Sequence, residues 1–76
     1  MILTGNVLRA ARHLAGLDQQ ALADAAGVSV NSLRRMEARG PDTLTSGLPT
    51  ILKVERALLA RGVECFEGGV RLSPRK

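Results

Sequence analysis

The sequence predicts an all-α fold: a four- to five-helix domain that ends in a short C-terminal β-hairpin or arm. Three observations carry this expectation. The apolar 45% of the 76 residues is almost all Leu, Ala and Val, with one Phe and no Trp or Tyr, and Leu and Ala are strong helix formers. Apolar residues recur at helical spacing in four stretches, each opened by a capping residue or a proline and followed by glycine. Beyond Gly62 that period gives way to two short β-like runs separated by glycines.

Thr4 is placed as the N-cap of a first helix. Val7, Leu8, Ala11, Leu14 and Ala15 then form its apolar stripe, and Gly16 ends it. Arg9, Arg12 and His13 lie on the same helix. Asp18 caps the second helix, with Leu17 before it as a hydrophobic staple. Leu22, Ala23 and Ala26 point inward from it, and Gly27 supplies the left-handed residue that closes it. Ser29 caps a third segment that runs through Leu33, Met36 and Glu37 to about Arg39, where Gly40-Pro41 stops it. Residues 41–47 read as a loop with room for one helical turn, the source of the fifth helix. Pro49 suits the first turn of a fourth helix, whose stripe is Ile51, Leu52, Val54, Leu58 and Leu59, closed by Arg61-Gly62. Val63-Glu64-Cys65-Phe66 and Val70-Arg71-Leu72 read as strands around Glu67-Gly68-Gly69, and Ser73 to Lys76 as a loose basic end. The expected division is residues 1–62 as a helical domain and 63–76 as an arm.

Composition narrows the function. A formal net charge of +4, from 11 Lys and Arg against 7 Asp and Glu, favours a polyanionic partner, because phosphate neutralisation drives non-specific nucleic-acid affinity. One cysteine, Cys65, excludes an internal disulfide and a Cys-based zinc cluster. Its plain reading is a small apolar residue. His13 stands without Cys, Asp or Glu at ligand spacing, so it reads as a surface residue and no metal is expected. No paired carboxylates, Ser-His-acid set or phosphate-cradling glycine loop is visible, so neither catalysis nor a cofactor is expected. With Phe66 the only aromatic, single-stranded DNA or RNA lacks stacking platforms. No apolar run spans a bilayer, and Met1-Ile2-Leu3-Thr4 lacks a signal peptide's basic start. A soluble, cytoplasmic protein with no membrane partner is expected.

The informative stretch runs from Asp18 to Gly40, DQQALADAAGVSVNSLRRMEARG. Two short helices, each with its own N-cap, meet at a tight turn centred on Ala26-Gly27-Val28, which is the helix-turn-helix arrangement. Ala23 is small where the helices cross, and Val28 plugs the core past the turn. Leu33 and Met36 bury one face of the second helix. Val30, Asn31, Arg34 and Arg35 remain on the other.

This stretch resembles the phage repressor and Cro type of helix-turn-helix, the family also named for the xenobiotic response element. Gln19, Leu22-Ala23, Gly27-Val28-Ser29, Leu33 and Glu37 occupy its pattern positions. The layout matches over about residues 5 to 62, and the specific motif is the central stretch. Ala38-Arg39-Gly40 departs from the family's usual Asn-Gly ending, and the segment beyond Gly62 lies outside its core domain. The resemblance implies a repressor-like DNA-binding domain and a transcriptional regulator of a prokaryote or phage, associated with the nucleoid or a mobile genetic element. It places Val30, Asn31 and Arg35 at base edges. Arg pairs with guanine, Asn with adenine, and Val packs on a thymine methyl. Gln19, Ser29, Ser32, Arg34 and Arg39 are the candidates for phosphate contact. The competing reading of Arg34 and Arg35 is a solvated helix face. The family's pattern also implies an ion pair between Arg12 and Glu37 that ties the first helix to the third; the competing reading is two ordinary surface charges.

One recognition helix covers few base pairs, so a homodimer on an inverted repeat of double-stranded DNA is expected, with half-sites about 34–36 Å apart. Leu59, Val63, Cys65, Phe66, Val70 and Leu72 are the dimerisation candidates, since a lone hairpin is marginal in water. The alternative is an antitoxin- or anti-activator-like module whose C-terminal segment binds another protein. No small-molecule ligand is expected in either case.

Overall fold

The computed structural model describes residue 2 and residues 4–66 and 69–72. The Glu67-Gly68 part of the expected turn and the basic end from Ser73 to Lys76 lie outside the described residues. Four helices are followed by an antiparallel hairpin: α1 (Gly5–Leu14), α2 (Gln19–Ala26), α3 (Val30–Ala38), α4 (Leu48–Ala60), β1 (Val63–Phe66) and β2 (Gly69–Leu72). The caps follow from side-chain chemistry. Thr4 Oγ1 accepts from Val7 N–H at 3.2 Å, Asp18 Oδ1 from Ala21 N–H at 2.7 Å, and Ser29 Oγ from Ser32 N–H at 3.0 Å. Each satisfies one of the first-turn donors that a helix leaves orphaned. α4 starts at Leu48 after Gly47, with Pro49 in its first turn and no side-chain cap.

One core joins all the helices to the first strand. Leu8 and Ala11, Leu22 and Ala23, Leu33 and Met36, Val54 and Leu58, and Val63 meet in a single buried cluster. Ile2 and Leu44 complete it, and neither belongs to a periodic stripe. The expected turn of helix within residues 41–47 is not formed. Thr43 instead makes an antiparallel bridge to Thr4, which carries Leu44 into the core.

Two expectations about side chains are corrected. Leu14, placed on the inner stripe of α1, is 40% exposed, whereas Arg12 from the same helix is buried. The buried face of α1 carries Gly5, Leu8, Ala11 and Arg12, and Leu14 projects to one side of it. Val63 was expected at a dimer contact, yet it is fully buried in the subunit's own core. The hairpin register explains why. Val63 opposes Leu72 and Cys65 opposes Val70 on one face, while Glu64 opposes Arg71 and Phe66 opposes Gly69 on the other. The first face packs on the helices, with Cys65 and Val70 partly buried against the core.

Phe66 on the second face has local partners. The Arg71 guanidinium stands 5.3 Å from its ring centroid and donates from Nε to Glu64 Oε1 at 2.9 Å. The ring also covers Gly69, where an added Cβ would lie 3.8 Å from Phe66 Cζ. Its exposed position is thus partly accounted for inside one hairpin.

Candidate nucleic-acid interface

The turn between α2 and α3 is closed by Gly27 at φ +73°, a conformation that a side chain resists. Val28 N–H donates to the Ala23 carbonyl at 3.0 Å and its side chain packs partly against the core. Ser29 then starts α3 at once. With Leu22, Ala23 and Ala26 buried beneath it and Leu33 and Met36 buried above, the mutual orientation of α2 and α3 is held by packing on both sides of a three-residue turn.

α3 is divided by its period. Leu33, Met36 and Glu37 are buried, while Asn31, Arg34 and Arg35 are exposed. Val30 and Ser32 are half-buried at the start of the helix, and Val30 packs in part against the core. Arg34 Nη1 donates to Asn31 Oδ1 at 3.3 Å, and Ser29 Oγ donates to Ser32 Oγ at 2.9 Å. Arg39, just past the helix, donates from Nε to the Thr43 carbonyl at 3.1 Å. Arg35 and Arg39 border an open cleft with Asp42, Thr45 and Ser46. Of the three base-reading residues expected from the sequence, Asn31 and Arg35 share the outer face of α3 with Arg34, and the arginines give that face its charge. Val30, also expected there, lies one turn before the buried Leu33 and is turned partly into the core.

Behind this face stands the ion pair. Arg12 Nε donates to Glu37 Oε2 at 2.7 Å and Nη2 to Glu37 Oε1 at 3.1 Å, while Nη1 donates to the Leu17 carbonyl at 3.0 Å. Only 9% of Arg12 and 2% of Glu37 reach solvent. The two charges are therefore not surface charges. The fork geometry joins α1 to the end of α3 and also fixes the linker before α2. Among the described residues no buried side-chain nitrogen or oxygen lacks a partner.

Three features of this region have no counterpart in the motif reading. Gln19, expected at a phosphate, donates from Nε2 to Glu37 Oε1 at 3.2 Å and is half-buried. Arg9 Nε lies 3.6 Å from that same oxygen with its side chain 57% exposed. Gly5 is buried against the end of α3, where an added Cβ would lie 2.6 Å from the Met36 carbonyl oxygen and 2.7 Å from that of Glu37. The spacing of α1 marked Arg9 as the residue one turn before Arg12. Nothing local marked Gly5 as a contact point.

Among the described residues no group of His, Cys, Asp and Glu could hold a metal ion, and no helix is long and apolar enough to cross a membrane. His13 is exposed. No curated protein gives a significant match to the chain. A family model described as a helix-turn-helix domain matches residues 4–46, the span that holds α1, the α2–turn–α3 unit and the loop beyond. That match covers more than half of the chain, which belongs to the helix-turn-helix domain family of DNA-binding proteins, consistent with regulators of the Cro and xenobiotic-response type.

Proposed function

We propose that the chain is a sequence-specific transcriptional regulator that reads double-stranded DNA through the outer face of α3 in the major groove. The observation that carries this reading is the division of α3. Its inner face is locked by Leu33, Met36 and the Glu37–Arg12 pair, and its outer face offers Asn31, Arg34 and Arg35 to solvent. Asn31 and Arg35 read bases, with Val30 at the edge of the same surface. Gln19, Ser29, Ser32, Arg34 and Arg39 serve the phosphates. Ser29 and Ser32 combine this with their mutual hydrogen bond at the start of the helix.

The operator is an inverted repeat bound by a homodimer, because one helix reads too few base pairs for useful specificity. Residues 1–62 carry the DNA contacts, and the hairpin with the outer side of α4 carries the dimer contact. Leu59 and Leu72 support this, being 49% and 60% exposed. Cys65, Phe66 and Val70 flank them, although Phe66 already stacks on Arg71. Such a protein acts at the nucleoid of a prokaryote or in a phage-infected cell. The same exposed leucines also suit a second protein, as in an antitoxin or anti-activator. Selection of bound duplexes from a random pool tests the reading. Recovery of a symmetric site with two half-sites is the expected result. Recovery of no enriched sequence at low salt would overturn it.

A further inference from the structure

Glu37 does more than pair with Arg12. Arg12 commits all three of its nitrogens inside the protein, two to Glu37 and one to the Leu17 carbonyl, and is closed off from solvent. Glu37 Oε1 then faces two further donors on the open side. Gln19 Nε2 donates to it at 3.2 Å, and Arg9 Nε stands 3.6 Å away. Two helices therefore bring one cation and one amide to a single buried oxygen.

The electrostatics favour an anion at this corner. Two guanidiniums share one carboxylate, so the group of Arg9, Arg12 and Glu37 keeps one net positive charge. That charge sits on Arg9, the exposed member. Among the described residues, no hydrogen bond occupies the terminal guanidinium nitrogens of Arg9 or the second N–H on Gln19 Nε2. Asp18, the nearest acid in sequence, keeps its charge but directs Oδ1 to the Ala21 N–H as the cap of α2. Docking a recognition helix in the major groove brings the preceding helix across the DNA backbone. The N-terminus of α2, which begins at Gln19, adds donors to the same corner.

We propose that the buried Glu37 organises a single backbone-phosphate subsite in which the Arg9 guanidinium and the Gln19 amide act together, making Glu37 a positioning residue for contacts made from two other helices. The proposal rests on the DNA-binding reading above. It adds Arg9 to the contact surface, and it gives the Gln19 orientation a physical cause: Oε1 holds one amide hydrogen, so the other points outward.

The test is the affinity of the full chain for a short random-sequence duplex, followed by anisotropy over a range of salt. Arg9→Gln removes a cation and lowers the slope of log K against log salt by about 0.9. Gln19→Ala removes a neutral donor, so affinity falls by about three- to tenfold while the slope stays unchanged. Because both groups serve one phosphate, the double variant loses less than the product of the single losses. The positioning role is read from Arg12→Met with Glu37→Met, a swap that replaces a buried ion pair with apolar side chains. In that background Gln19→Ala costs nothing further. Arg9 is exposed and Gln19 only half-buried, so their coupling is measured in the unaltered background and remains readable even if the double-Met chain fails to fold. An unchanged salt slope for Arg9→Gln, or losses that simply multiply, would overturn the subsite while leaving DNA binding intact. No binding by the unaltered chain at low salt would overturn the DNA-binding reading itself.

Discussion

Gly5→Ala reverses the usual effect of that substitution in a helix. Alanine in place of glycine inside a helix gains up to about 1 kcal/mol, and Gly5 opens α1. The local expectation is therefore a small stabilisation. The structure gives the opposite sign. The new methyl would lie 2.6 Å from the Met36 carbonyl oxygen, 2.7 Å from that of Glu37 and 2.7 Å from Gly40 N. All three atoms are backbone, two in the last turn of α3 and one just past it, and cannot swing aside. Either α1 backs away or the end of α3 unwinds. Overpacking of this kind costs about 1–3 kcal/mol. Separation also lengthens the bond from Asn6 N–H to the Gly40 carbonyl, now 2.8 Å, which contributes about 1 kcal/mol. Against the propensity gain the net loss is about 2 kcal/mol. For a domain of this size each kcal/mol moves Tm by roughly 4–8 °C, so a fall of roughly 8–16 °C is expected. Thermal unfolding followed by circular dichroism measures it. An unchanged or raised Tm would show that the close approach of α1 and α3 does not govern this site.

Glu37→Gln leaves the Arg12 guanidinium buried without its counter-charge, and urea unfolding should show a loss of about 3–5 kcal/mol, whereas Arg12→Met with Glu37→Met stays near the unaltered chain; equal losses would contradict the pair's assigned role. Arg35→Ala should cost about 1–3 kcal/mol at the selected operator and relax preference at one base position. Unchanged preference would place base reading elsewhere. Burial, together with the charge of Glu55, pushes the Cys65 thiol up from 9.0 to about 11. The folded chain therefore holds this proton more tightly than the unfolded one. The group's contribution to stability is intact below pH 9 and lost as pH rises through about 11. Alkylation of the folded chain at pH 9 should accordingly be much slower than in urea, and equal rates would show that the thiol is not sheltered.

Local chemistry determined where the helices begin and turn. Thr4, Asp18 and Ser29 cap because short oxygen-bearing side chains reach the first free N–H groups. Gly27 turns because it alone tolerates the left-handed conformation at little cost. The period of α3 divided its inner Leu33 and Met36 from its outer Asn31, Arg34 and Arg35 before any tertiary contact was considered, but Val30, read as outer, is half-buried against the core. The Arg12–Glu37 pair was accessible only through the resemblance, since 25 residues separate its members. What the tertiary structure decided concerns contacts between distant segments. Ile2 and Leu44 have no periodic neighbours to mark them, yet chain closure through the Thr4–Thr43 bridge takes Leu44 inward. Val63 reads as one apolar residue among several in the tail, and only the packing of the hairpin on α1 and α4 assigns it to the core. Gly5 and the meeting of Arg9 with Gln19 at Glu37 depend on how closely two helices approach, a distance that no pattern along one chain encodes.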